Sequence, residues 1–101
     1  MKRFDVYRNP ETRTRAHFPY FVIVQSDLIE DFDTRVVVPL MRQRAAATRL
    51  NPIIEFDGEA LVLKTQQLAS VPARLLTVHR GNVAHAHSAI FRALDFLFAG
   101  F

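Results

Sequence analysis

Four histidines carry most of the acid–base potential of this chain, and their spacing argues against joint work. His85 and His87 are two residues apart in a stretch patterned as a helix, so they turn to different faces. A helical metal pair needs i, i+3 or i, i+4 spacing. These two are expected to be solvated or to help cap the helix start, and His17 and His79 stand alone. With no cysteine there is no thiolate metal site and no disulfide framework. No nucleotide-binding loop, nucleophile elbow or HExxH motif occurs either. No residue pattern here marks a catalytic, metal or cofactor site, so none of the three is expected.

What remains is charge and misplaced oil. Lys2, Arg3, Arg8, Arg13 and Arg15 crowd the start, Asp27, Glu30, Asp31 and Asp33 form an acidic knot, and Arg42, Arg44 and Arg49 make a second basic cluster. Such runs are solvated faces unless an acidic partner meets them. The net charge of +3 is modest for a nucleic-acid binder, and no recognition helix is evident, which argues against autonomous reading of DNA sequence.

The stretch Asn82–Phe101 organises the rest. At helical pitch Val83, Ala86, Ile90, Leu94 and Leu97 fall on one side, widened by Phe91 and Phe98. The opposite side carries His85, Ser88, Arg92, Asp95 and Ala99. Asn82 is suited to cap the start and Gly100 to stop the helix. Phe96 leans toward the polar side, and Phe101 follows the Gly stop. Ordering a terminus costs about 1–2 kcal/mol per residue in backbone entropy, so an apolar one calls for an explanation. Two placements are open to Phe101: folded back on the core, or outward as a docking surface.

The elements before the helix read as strands. Phe4–Arg8 alternates. Asn9–His17 is an Arg-rich loop ended by Pro19. Tyr20–Gln25 is continuous and β-branched or aromatic, as in a strand covered on both faces. Arg35–Val38 is a strand halted by Pro39, which cannot donate to a ladder. Leu40–Leu50 is ambiguous, a short helix or an irregular strand. Ile53–Phe56 and Glu59–Lys64 flank Asp57–Gly58, a strong hairpin signal. Gln66–Pro72 reads as a turn or short 3₁₀ piece, Arg74–Val78 as the last strand, and Gly81 as the release into the helix.

Half of the 101 residues are hydrophobic, enough for one globular domain, residues 1–101, with its own core. No apolar run approaches the ~20 residues that span a bilayer. The start turns polar before a signal-like segment could form, so the expected location is the cytoplasm. The order of elements predicts a strand-rich α+β domain with one closing helix, and sheet edges that favour homodimerisation.

Several pieces resemble one family. Phe4, Val6 and Tyr7; Phe21, Val22, Val24, Gln25, Ser26, Asp27 and Ile29; Val38, Pro39 and Leu40; Ala69, Ser70, Val71 and Pro72; and Phe98 and Gly100, in this order and spacing, are similar to the CcdB toxins of bacterial toxin–antitoxin modules. The resemblance implies a homodimer with a small barrel-like, five-stranded antiparallel sheet, a small side sheet and a carboxyl-terminal helix, a fold shared with MazF/Kid toxins. It also implies poisoning of DNA gyrase through its A subunit, with the cleaved DNA complex trapped. A CcdA-like antitoxin would neutralise the toxin through a disordered tail. Together the two would repress their own operon, so that operator DNA is met only through the toxin–antitoxin complex.

By the same resemblance the gyrase-binding residues are Leu28, Ile29, Asp95, Ala99, Gly100 and Phe101. The best-known members carry Trp where this chain has Ala99, Ile where it has Phe101 and Asn where it has Asp95. Deleting an aromatic anchor of that kind can cost ~2–4 kcal/mol of binding. Two alternatives accompany this reading. One is a MazF/Kid-like, metal-independent mRNA endonuclease, for which Arg35 with His17 or Asp33 would supply a cation and a base. The other is a module that has lost toxicity and only binds antitoxin, through the basic arm and the Arg42–Arg49 cluster.

Overall fold

Among the described residues, backbone hydrogen bonding forms seven strands. A computed structural model describes residues 1–29, 32–42 and 46–100. The strands are β1 (Asp5–Arg8), β2 (Tyr20–Ile23), β3 (Thr34–Met41), β4 (Ile53–Phe56), β5 (Glu59–Leu63), β6 (Ala69–Pro72) and β7 (His79–Asn82), and α1 (His87–Ala99) closes the chain. Every pairing is antiparallel. Together the strands form one seven-stranded sheet, in which β7-β1-β2-β3-β6 make a five-stranded main part and the β4–β5 hairpin joins the far end of β3 as a small side sheet. The α+β, mainly-β class expected from the sequence is what forms, as a curled half-barrel with one helix.

Two corrections concern strand ends. Pro39 does not halt β3, which runs on through Met41. The Val24 N–H donates to the Val36 carbonyl, so Val36, Val38 and Leu40 face β2 while Val37, Pro39 and Met41 face the other edge. There β6 ends opposite Val37 and β5 begins opposite Leu40. The missing N–H of Pro39 falls in that seam, and its carbonyl still accepts from Lys64. The segment expected as a short helix or strand, Leu40–Leu50, gives its first two residues to β3. Arg42 and Ala46–Leu50 are irregular, and Gln43, Arg44 and Ala45 lie outside the described residues.

The last strand is not Arg74–Val78. That stretch opens with a 3₁₀ turn (Ala73–Leu75) and crosses the sheet as a strap, with Leu76 buried against Tyr7, Ile23 and Val37. Pairing resumes at His79–Asn82 beside β1. Alternating residues misled because the strap buries a single side chain rather than one face. Likewise Ala69–Pro72, expected within a turn or 3₁₀ piece, pairs with β3, and of the stretch Gln66–Pro72 only Gln66 and Gln67 are 3₁₀, as part of Thr65–Gln67. Gly81 sits inside β7 at φ 153°, where a Cβ would lie 2.9 Å from the Phe56 ring. It is there for close packing, not for release into the helix.

Sheet alternation separates two faces. Val6, Val22, Val38 and Leu40 point to the main core with Ile54, Leu61 and Leu63, covered by Val83, Ile90 and Ala93 of the helical segment. Tyr7, Phe21, Ile23, Val37 and Val71 point the other way, under the strap. In the hairpin turn Asp57 and Gly58 both take positive φ, 53° and 77°, the geometry that matches strand twist.

Candidate functional site

The corner after β2 is built from three side chains that replace backbone partners. Gln25 donates from Nε2 to the Ile29 carbonyl and accepts from the Val36 N–H. Ser26 accepts from Leu28 N–H on its hydroxyl and from Ile29 N–H on its carbonyl. Asp27 accepts from the Arg3 N–H at 2.7 Å. The corner is fixed, and it holds Leu28 95 % exposed and Ile29 46 % exposed. Burying a leucine side chain is worth about 1.5–3 kcal/mol, so a rigid loop displaying one is suited to hand that energy to a partner.

The helix supplies the second element. Asn82 does not cap α1 itself. Its Oδ1 accepts from Ala84 N–H at 2.7 Å, capping a 3₁₀ turn (Ala84–Ala86) that leads into α1. Its Nδ2 donates to the Asp5 carboxylate, tying the helix entry to β1. Gly100 takes the left-handed conformation at φ 77° and its N–H returns to the Phe96 carbonyl, as the stop signal requires. Asp95, Ala99 and Gly100 are exposed on the solvent side. Phe101 lies outside the described residues, so neither of its two placements is decided.

Phe98 was expected to widen the core face and instead stands 72 % exposed. Small Ala93 is the fully buried helix residue beside Ile90, so the helix axis lies close to the sheet and its contact stripe is narrow. Phe91, Asp95 and Phe98 are i, i+4 and i+7, one stripe along the open side. The stripe starts at the corner. Arg3 places its guanidinium 5.4 Å over the Phe91 ring, and Phe4 meets that ring edge-on at 5.4 Å. Thus Asp27, Arg3 and Phe91 connect the Leu28 corner to the helix within one subunit. Phe96 is half covered by Arg49, 5.1 Å above its ring.

Of the residues weighed for RNA cleavage, His17 stands far from Arg35, whereas Asp33 lines the same cleft as Arg35. The His17 carbonyl accepts from Arg42 N–H beyond the carboxyl end of β3, whereas Arg35 is at its start. Seven residues of strand separate the two, about 23 Å. Asp33 and Arg35 do share an open cleft of about 580 Å³ with Phe32 and Arg74. Arg35 donates there to the carbonyls of Phe32 and Thr34. His85 donates to the Glu55 carbonyl at 3.0 Å and His87 to the Ala84 carbonyl at 2.9 Å, each engaged separately. Among the described residues no group of three His, Cys, Asp or Glu gathers as metal ligands, and no helix is long and apolar enough to cross a membrane.

One ionisable cluster went unnoticed in the sequence. Asp5 faces His79 at 3.6 Å across β1 and β7. Burial pushes the Asp5 carboxyl up, but hydrogen bonds from Asn82 and Lys2 and the neighbouring His79 outweigh it and leave it below its ordinary value. The Tyr7 hydroxyl is raised by burial and by Asp5, with Arg35 opposing. Cross-strand partners of this kind become visible only with the register.

The fixed apolar corner, the half-exposed helix stripe and the curled sheet agree with one comparison: the family model described as CcdB protein matches residues 3–100. The chain belongs to the CcdB family, toxins of toxin–antitoxin systems.

Proposed function

We propose that the protein is a homodimeric toxin that binds the A subunit of bacterial DNA gyrase and traps gyrase on cleaved DNA. Leu28 and Ile29 from the corner, Asp95, Ala99 and Gly100 from the helix, and Phe101 beyond them form the contact. Phe98, adjacent to the position where the best-known members have Trp, supplies the aromatic anchor. The observation that carries this reading is the nearly complete exposure of Leu28 on a loop tied down by the Arg3–Asp27 and Gln25–Ile29 hydrogen bonds.

The mechanism is a wedge. Two helix ends, brought side by side by dimerisation, enter the gyrase dimer and bind its open, DNA-cut state better than its closed state. Only that difference in affinity shifts the population. No bond is made or broken by the toxin, so it acts as a ligand rather than an enzyme. In the cytoplasm a CcdA-like antitoxin neutralises it, and the complex of the two represses their operon.

Cleavage and supercoiling assays with purified gyrase test the proposal. Linear plasmid should accumulate on denaturation with the full chain, and not after deletion of Gly100–Phe101. Trapping by the truncated chain would remove the site assignment. Incubation with RNA alone should leave it intact, since discrete cuts would favour a ribonuclease. Expression without antitoxin should stop colony growth; normal growth would favour a module without toxicity.

A further inference from the structure

Arg3 is fixed along its backbone and along its side chain. Its N–H donates to the Asp27 carboxylate at 2.7 Å and its carbonyl accepts from Asn82 Nδ2 at 3.4 Å. Its guanidinium lies 5.4 Å from the centre of the Phe91 ring and 6.0 Å from that of Phe4, close enough for the ring faces to attract a cation. A group arranged in advance loses little freedom when it meets a ligand.

This arginine has no counter-charge. Among the described residues its guanidinium enters no ion pair and no hydrogen bond. Nε is sealed from solvent without a partner, whereas the two terminal nitrogens stay open. A methionine or leucine would cover Phe91 equally well, with no charge to strip of part of its water. Packing alone therefore does not account for an arginine here.

The place of the charge supplies the reason. Asp27 is joined to Arg3 and precedes Leu28, which is 95 % exposed, while Phe91 begins the stripe that ends at Phe98, 72 % exposed. A body that covers both apolar ends passes over Arg3 and takes the remaining water from its guanidinium. A desolvated charge with no partner is strongly unfavourable, so a surface that fits this face carries an anion at that point. The planar terminal nitrogens suit a carboxylate, which accepts from both at once. Asp95 is one helical turn beyond Phe91, about 6 Å along the axis. Its charge disfavours a run of phosphates along the stripe more than a single carboxylate at one end.

We propose that Arg3 is a further partner-binding residue, whose terminal nitrogens pair with a carboxylate of the protein seated on Leu28 and Phe98. The inference rests on the gyrase reading, which makes that protein the A subunit, and adds to it the acidic group that Arg3 meets.

Calorimetric titration of the purified gyrase A subunit with the full-length chain, without DNA and at stepped salt concentrations, tests it. The wild-type affinity should fall as salt is added. Arg3→Gln should weaken binding at low salt by about 10-fold and flatten the salt dependence. Arg3→Lys, which keeps the charge but not the fork, should lose less affinity and retain the salt dependence. Arg74→Gln removes an equal charge from the strap on the other face of the sheet, and should change neither quantity. Circular dichroism and the urea midpoint check that each variant is folded.

Equal affinity of the wild type and Arg3→Gln overturns the proposal and leaves the gyrase reading standing. So does a loss with an unchanged salt dependence, which would make Arg3 a spacer of the corner only. A loss that appears only once cleaved DNA is present would assign the fork to phosphate, and dissociation of the homodimer by Arg3→Gln would assign it to a second copy. Either result overturns the proposal. A wild-type chain that does not bind the A subunit at all removes the gyrase reading, and this inference with it.

Discussion

The backbone N–H of Arg3 donates a 2.7 Å hydrogen bond to the carboxylate of Asp27, joining two segments that are 24 residues apart. The side chain of the same arginine lies over Phe91. One residue therefore sets the spacing between the Leu28 corner and the helix. Asp27→Ala removes the acceptor and should loosen the corner, lowering gyrase trapping several-fold. Global stability should change by only about 1 kcal/mol, read as the midpoint of urea unfolding. Asp27→Asn keeps an acceptor and should retain most of the trapping.

Phe98 separates binding from folding. Its ring is largely in water, so Phe98→Ser should alter stability by no more than about 0.5 kcal/mol. Gyrase trapping should fall by at least 10-fold if the ring is the anchor. Leu28→Glu should behave in the same way, and thermal unfolding beside a cleavage titration reads both quantities.

Gly81 gives the opposite pattern. An added Cβ meets Phe56 Cε1 at 2.9 Å and the backbone φ is positive, so Gly81→Ala should destabilise by about 1–3 kcal/mol. Phe56→Leu in the same chain should recover part of that loss. Independent, additive effects in a double-mutant cycle would show that the two positions are not coupled.

Acid should weaken the β1–β7 junction. The Asp5 carboxyl titrates below its unfolded value of 3.8, so its contribution to stability is full above that value. It is lost as pH falls through the lower, folded value. Asp5→Asn should therefore unfold with a shallower dependence on pH below about 4 than the wild type, measured as urea midpoints at stepped pH.

Several features were legible because the local physics agreed with the tertiary outcome. Asp57–Gly58 takes the two positive φ angles of a tight hairpin, Tyr20–Ile23 is a central strand, and His85, Ser88, Arg92, Asp95 and Ala99 all face solvent. The misses were set at a distance. Pro39 is tolerated because two neighbouring strands stop and start beside it, which is a fact of topology. Phe98 is exposed because Ala93 brings the helix close, and hydropathy cannot report an axis position. The strap was mistaken for a strand because Leu76 is buried by what it crosses. Leu28 and Ile29, which the sequence leaves apolar after the first buried strand, are exposed at the corner. The link from their corner to Phe91 through Arg3 needed coordinates.

The eight residues of β3 belong to both sheets: their first half pairs with β6, their last two residues with β5, and β2 runs along the opposite side. Neither sheet can melt while the other persists, because each would take its shared member with it. Amide protons of Val38 and Leu40 should consequently exchange only when the entire molecule opens, and a chain proteolysed in its hairpin should be lost whole rather than trimmed.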